Sequence, residues 1–323
     1  IVSVERDTSG SGNNFQTLIA PFNALAEPGQ PAVPENFLLS LTGSTGGSTN
    51  IHELGNIELC ALKLNPVGQQ VDHFEIIHDG VALTCQPETI QVRACGNADC
   101  SELFTDPVQA TLAPANGWQG GNVVSLVNGF GEATLQNTSP GTVRLDVVGS
   151  NPSTRPQAVT LCQIGGSLSA SNCDLPFFES GLAFDLPDLI SHRPSGPVQV
   201  RAVRQDDVTQ QCVPAFANQT KAVEFWSEYV DPGPGGRDVS RAVSVNGAPV
   251  GIDASAPAGI DLSFDGDGVA EIDVIYPDAG QMQLNALYRG SEATEDAGLL
   301  MPGADSFVSV PAGFCVSAAS SCS

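Results

Sequence analysis

Apolar and polar residues alternate one by one along much of this chain. Ile90, Val92 and Ala94 fall on one side of an extended backbone, Gln91 and Arg93 on the other. The same period of two recurs in Val108, Ala110 and Leu112, in Val143, Leu145 and Val147, in Val198, Val200 and Ala202, and in Met282, Leu284 and Ala286. Each run predicts a strand with one buried and one wetted face, as in an antiparallel sheet. Turn-forming residues interrupt the runs often: 34 Gly and 23 Pro stand among 323 residues. Short strands closed by frequent turns predict β-sandwiches. One stretch competes. Phe15, Leu18, Ile19, Phe22 and Leu25 have helical spacing, but Pro21 removes a backbone donor in their midst. An irregular turn or a short helix is expected there.

An internal repeat sets the domain plan. Gln91-Val-Arg-Ala94 recurs as Gln199-Val-Arg-Ala202, with Phe74 and Phe184 upstream of the two copies. Downstream, Gly131-Glu-Ala-Thr-Leu135 followed by Val143 resembles Gly268-Val-Ala-Glu-Ile272 followed by Met282. Two related immunoglobulin-like sandwiches are expected, over 71–160 and 175–305, with 165–172 as the linker and 306–323 as the start of a further segment.

Charge and cysteine content narrow the setting. Asp and Glu number 36 against 12 Lys and Arg, a net charge of −24. That excludes nucleic acid and anionic membrane surfaces as natural partners, since both select basic patches. No apolar run reaches the 18 residues that would suggest a bilayer span, so membrane insertion is not expected. The nine cysteines form no Cys-x-x-Cys pair of the kind zinc favours. Short loops between them predict disulfides, which persist outside the reducing cytosol. The expected pairs are Cys95 with Cys100, Cys162 with Cys173, Cys315 with Cys322, and Cys60 with Cys85. Cys212 is then left free, or bonded to another molecule. The chain opens on Ile1 rather than Met, with no visible signal peptide, which predicts a processed protein or part of a longer one.

Two blocks carry a resemblance. Glu35-Asn-Phe-Leu-Leu-Ser-Leu-Thr-Gly-Ser-Thr-Gly-Gly-Ser-Thr-Asn-Ile-His-Glu-Leu54, then Asn56-Ile-Glu-Leu-Cys60, resembles the closing strands of an L-type, concanavalin A-like lectin sandwich. Asp72-His-Phe-Glu-Ile-Ile-His-Asp-Gly-Val-Ala-Leu-Thr-Cys85, with Gln91-Val-Arg-Ala-Cys-Gly-Asn-Ala-Asp-Cys100, resembles MshQ-like proteins. These are surface proteins of the mannose-sensitive haemagglutinin (MSHA) type IV pilus system of Gram-negative bacteria. The resemblance implies an all-β chain: the C-terminal part of a lectin-like sandwich over 1–62, then the two immunoglobulin-like modules in an extended array. It implies an extracellular or cell-surface place, and partners among pilus or surface-filament proteins. It supplies no catalytic residue, and no sugar-binding residue carries over.

Candidate chemistry is sparse. Asp265 and Asp267, in Asp265-Gly-Asp-Gly268, are the calcium candidate, because calcium takes several oxygens on a sharply turning backbone. An EF-hand loop would place a third ligand and a twelfth-position Glu where Val269 and Tyr276 stand, so a plain turn is the competing reading. No other cofactor is expected. His73 and Glu75 share a strand face, and His78 points the other way. His52 beside Glu53, and His192 before a proline turn, read as structural. Trp118, Trp226, Phe177 and Phe178 suit a core or a sugar-stacking surface, and Asn137 and Asn218 head glycosylation sequons. No nucleophile elbow, zincin, phosphate-loop or dinucleotide motif occurs. The expectation is a non-catalytic surface or filament-associated protein that is structural or adhesive and joins copies of itself by strand addition. A glycan-binding module is the alternative, and a secreted glycoside hydrolase stands behind both.

Overall fold

A computed structural model describes residues 2–7, 14–23, 26, 70–231, 236, 238 and 240–313. The chain forms two compact units, Ile1–Leu64 and Asn65–Ser323. In the first, β1 (Val2–Asp7) pairs antiparallel with β2 (Phe15–Phe22). Phe15, Leu18, Ile19 and Phe22 therefore lie in a strand, against expectation, and Leu25 lies outside the described residues. Pro21 is accommodated because the register shifts between the partners of Val2 and Val4, a bulge of the kind in which strand prolines occur. The lectin-like stretch, with His52, Glu53 and Cys60, lies outside the described residues, as do Cys315 and Cys322.

The second unit is all-β and holds two sandwiches. The first runs β3 (His73–Ile77), β4 (Ala82–Leu83), β5 (Glu88–Cys95), β6 (Val108–Ala113), β7 (Val123–Leu126), β8 (Phe130–Leu135), β9 (Gly141–Arg144), β10 (Asp146–Asn151), β11 (Leu161–Ile164), β12 (Ser167–Ser169) and β13 (Asp174–Phe178). A sheet ordered β12-β11-β3-β5-β8 faces the smaller sheets β10-β6-β7 and β4-β13-β9. Phe74, Ile76, Ile90, Val92, Leu112, Leu135, Leu145 and Leu175 fill the space between them. At roughly 1.5–3 kcal/mol for each large apolar side chain, this burial is what the alternating pattern predicts will hold the sheets together. Residues 143–147 are not one strand. Leu145 is fully buried at the point where the chain passes from β9, beside β13, to β10, beside β6.

The segment 165–172 is no linker. It closes the β11–β12 hairpin and enters the 3-10 turn Ala170–Cys173, whose cysteine is bonded to Cys162 of β11. β11 runs parallel to β3, and β13 pairs with β4 and β9, so the first sandwich extends through Phe178. The physical reason is burial: Cys162, Cys173, Leu175 and Phe177 complete the first core.

The second sandwich runs β14 (Ser180–Ala183), β15 (Leu189–Ile190), β16 (Val198–Gln205), β17 (Cys212–Pro214), β18 (Thr220–Asp231), β19 (Ser244–Val245), β20 (Ala248–Pro249), β21 (Ala258–Ser263), β22 (Val269–Ile272), β23 (Val274–Ile275), β24 (Gly280–Arg289) and β25 (Leu300–Val310). Its main sheet is ordered β15-β25-β24-β18-β21. The inward side of β18 carries Val223, Phe225 and Tyr229 against Met282, Leu284 and Phe307.

The repeat is visible in the hydrogen bonds. Ala94 N–H donates to Gly129 O, and Ala202 N–H to Gly268 O. Phe104 N–H donates to Ala94 O, and Ala215 N–H to Ala202 O. Gln91 stands opposite Glu132, and Gln199 opposite Glu271. The glycine equivalent to Gly268 is thus Gly129, two residues before the Gly131 that the sequence alignment suggests. Both have left-handed φ, 81° and 72°, which is why a glycine recurs at this turn.

Candidate functional site

The two sandwiches meet at a junction built from the end of β3, β4, β11, β14, β24 and β25. Gln283 is the central contact. Its side chain is 1% exposed, donates to Asp79 O at 2.7 Å and accepts from Gly165 N–H at 2.8 Å. Gln205 of the second sandwich donates to Thr138 O of the first at 3.1 Å. Gly165 sits so close that a Cβ would lie 2.2 Å from Glu228 Oε2. Cys85 of the first sandwich is bonded to Cys212 of the second. This corrects two expectations together: Cys85 does not pair with Cys60, and Cys212 is not free. Packing of the sandwiches brings the start of β17 to the turn after β4, a proximity that sequence spacing does not encode. Cys95–Cys100 and Cys162–Cys173 are local bonds.

Beside these contacts lies a cleft of about 540 Å³. Asp79 and Glu88 enter it from the first sandwich, Asp185 and Asp305 from the second, with His78, Gln163 and Gln283 alongside. No Lys or Arg is among the described residues that line it. The Asp79 and Glu88 side chains are hydrogen-bonded to each other. Burial holds both carboxyls well above the ordinary carboxylate range; the Asp305 charge adds to this at Asp79, against the Val81 N–H and the Glu88 contact, and the Asp79 charge adds to it at Glu88. Burial also pushes Asp305 up to about 6, with the Asp185 charge in support and the Leu186 and Ser306 N–H groups opposing. The pair therefore keeps a shared proton near neutrality and titrates as one unit.

His78 is buried and fully bonded. Gly80 N–H donates to its Nδ1 at 3.1 Å, so Nε2 carries the proton and donates to Asn172 O at 3.0 Å. Burial lowers its pKa, against the Asn172 bond. His73 and Glu75 are buried on the opposite face of β3. His73 Nδ1 bonds Asp72 at 3.0 Å, Arg155 also bonds Asp72, and Arg93 approaches Glu75 at 3.8 Å. His73, Glu75 and Cys95 lie within 4.8 Å of one another, but Cys95 Sγ is committed to Cys100 and offers no thiolate to a metal.

The other candidates are dispersed. Asp265 and Asp267 are exposed in the β21–β22 turn, where Asp265 Oδ1 accepts the Asp267 and Val269 N–H groups at 2.9 and 3.0 Å. Asn218 N–H reaches Asp265 O there. Trp118 and Phe177 are core residues, Phe178 is half-buried, and Trp226 donates to Glu228. His192 is exposed at a left-handed turn position, and Asn137 caps its own turn by accepting Ser139 N–H. The junction carboxylates were not foreseen. The one local signal was an Asp-Gly pair at 79–80, which reads as a turn.

Two domain families match the second unit. Residues 159–304 match a domain of unknown function (DUF6701) described as its first Ig-like domain, and 71–153 match another domain of unknown function (DUF8613). The fold is immunoglobulin-like. No curated protein matches the chain. Among solved structures, the D0–D1 domain of intimin is similar at 11% identity, over 72% of this chain and 96% of that one, with a TM-score of 0.26. Alpha-2-macroglobulin from Escherichia coli is similar at 10% identity, over 74% of this chain and 18% of that one, with a TM-score of 0.23. Invasin, a bacterial integrin-binding protein, is similar at 10% identity, over 74% and 40%, with a TM-score of 0.22.

Proposed function

We propose that this chain is a non-catalytic extracellular module of a Gram-negative bacterium, surface- or filament-associated and tied to MSHA-type pili, with a structural or adhesive role. The observation that carries the reading is covalent. Three disulfides stiffen the two immunoglobulin-like sandwiches, and one of them joins the sandwiches to each other. Such bonds are maintained outside a reducing cytosol. A net charge of −24 suits a protein that must stay dispersed in a salty exterior. No helix among the described residues is long and apolar enough to cross a membrane. Immunoglobulin-like modules in series hold a terminal part at a distance, and their sheet edges offer unpaired backbone groups to a partner strand. The pilus link rests on the resemblance of residues 72–100 to MshQ-like proteins.

Immunogold labelling of intact cells tests the location, and co-purification with mechanically sheared filaments tests the pilus link. Label on intact cells and in the sheared fraction is the expected result. Label confined to permeabilised cells, with Cys85 and Cys212 reduced, refutes the reading. Surface label without filament co-purification removes the pilus and keeps the surface role.

A further inference from the structure

We propose that the Cys85–Cys212 bond is a force bypass, which carries tension between the chain ends straight from the first sandwich to the second and shields the chain between them. The argument is topological. A pull applied before Val71 and after Val310 enters the first sandwich through β3 and β4 and reaches Cys85. From there the shortest covalent route crosses to Cys212 at the start of β17 and continues through β18 to β25. The bonded cysteines are 127 residues apart in sequence. That closed loop contains β5 to β13 of the first sandwich and β14 to β16 of the second, so it includes most of one core and an edge of the other. Both local disulfides, Cys95–Cys100 and Cys162–Cys173, also lie inside it.

The placement of the bond gives it this effect. Cys85 follows β4 directly, so only a short part of the first sandwich lies outside the loop. β3 is the central strand of its sheet, bonded on both sides to loop strands, antiparallel to β5 and parallel to β11. Tension on β3 therefore works against two ladders whose other members are themselves unloaded. At the junction the bond runs in parallel with the Gln283 and Gln205 hydrogen bonds, which separate under load far sooner than a covalent bond does. The two sandwiches then respond as one mechanical unit, and a thiol reductant converts that unit into two modules in series. Use of the device in the organism rests on the surface role proposed above, but the covalent route of the force does not. Failure of one is therefore distinguishable from failure of the other.

The test is single-molecule stretching of the full chain between handles at its two ends, without reductant, for the wild type and for a Cys85→Ser/Cys212→Ser variant. A stretched chain spans about 3.5 Å per residue, so the 127-residue loop conceals about 44 nm. The local disulfides keep 5 and 11 of those residues hidden in the variant, which is expected to reach a final length greater by about 39 nm. Final extension is read on the unfolded chain, so the comparison holds even where the variant folds poorly. Reductant added to the wild type is expected to release the full loop. Equal final lengths for wild type and variant overturn the proposal. So does non-reducing peptide mapping of the secreted protein that recovers Cys85 and Cys212 as separate thiols.

Discussion

At the scale of single residues, the junction carboxylates set a pH dependence with a definite sign. Asp79, Glu88 and Asp305 hold protons in the folded protein more tightly than ordinary carboxylates do. The unfolded chain releases those protons above roughly pH 4, so the folded state binds more protons than the unfolded one across the range between. Their contribution is most favourable at acid pH. It declines as pH rises through about 6 for Asp305 and onward for the Asp79–Glu88 pair. His78 acts oppositely, because charging its buried ring costs stability as pH falls below its ordinary range. A variant comparison isolates the acids. Glu88→Gln keeps a donor for Asp79 and removes one ionisation, so thermal melts are expected to match the wild type near pH 5. At pH 8 the variant should gain on the order of 1 kcal/mol. A gain of equal size at both pH values would show that the carboxylate charge is not the cause. Gly303 offers a steric test of the same interface of strands. A Cβ there would stand 2.0 Å from Leu182 O, a backbone atom that yields only if β14 moves away from β25. Gly303→Ala is expected to cost about 1–3 kcal/mol in chemical denaturation.

At the scale of elements, the period of two is read correctly from sequence where water covers the polar face, and misread where protein covers it. Met282, Leu284 and Ala286 are in the core as their alternation predicts. Gln283 and Asn285, on the face expected to be wet, are only 1% and 7% exposed. Gln283 is covered by the first sandwich, which takes its hydrogen bonds. His73 and Glu75 of β3 are buried too, but within their own sandwich, among Asp72, Arg93 and Cys95. A polar residue at an outward position carries no local sign that a second domain will land on it, and this is why the junction was illegible. Lys221 shows another limit. It stands on the inward side of β18 but is held between the Phe216 and Tyr288 rings, 4.8 and 5.1 Å from their centroids, and bonds Asp296 at 2.9 Å. Burial opposes the Asp296 charge, but bonds from Thr294, Tyr288 and Lys221 outweigh it and hold that carboxyl far below the ordinary range. The pair pins the loop before β25 to the start of β18. Lys221→Met leaves Asp296 without its cation and is expected to lose about 2–3 kcal/mol of stability in urea titrations. Lys221→Met with Asp296→Asn should recover part of that loss. An additive double variant would mean that the two side chains do not act together.

At the scale of the whole molecule, charge and sheet edges work against each other. Each copy carries −24, so two copies repel at low ionic strength. Among the described residues, β12 ends the large sheet of the first sandwich and β15 and β21 end that of the second, whereas the outer side of β8 is bridged by Gly117–Gln119. Leu168 on β12 and Ile190 on β15 leave apolar side chains exposed at these sheet ends. Strand addition between copies therefore needs the long-range repulsion removed while the short-range pairing stays intact, and added salt does this. The Debye length falls from about 30 Å at 0.01 M to about 10 Å at 0.1 M and about 3 Å at 1 M. Sedimentation velocity at a fixed protein concentration is expected to show a monomer at the lowest salt and larger species as sodium chloride rises. The dependence on salt separates this edge pairing from an association driven by opposite charges, which salt would dissolve. A monomer at every ionic strength would remove copies of this chain as its strand-addition partners. A different filament protein would then be left as the acceptor of any edge.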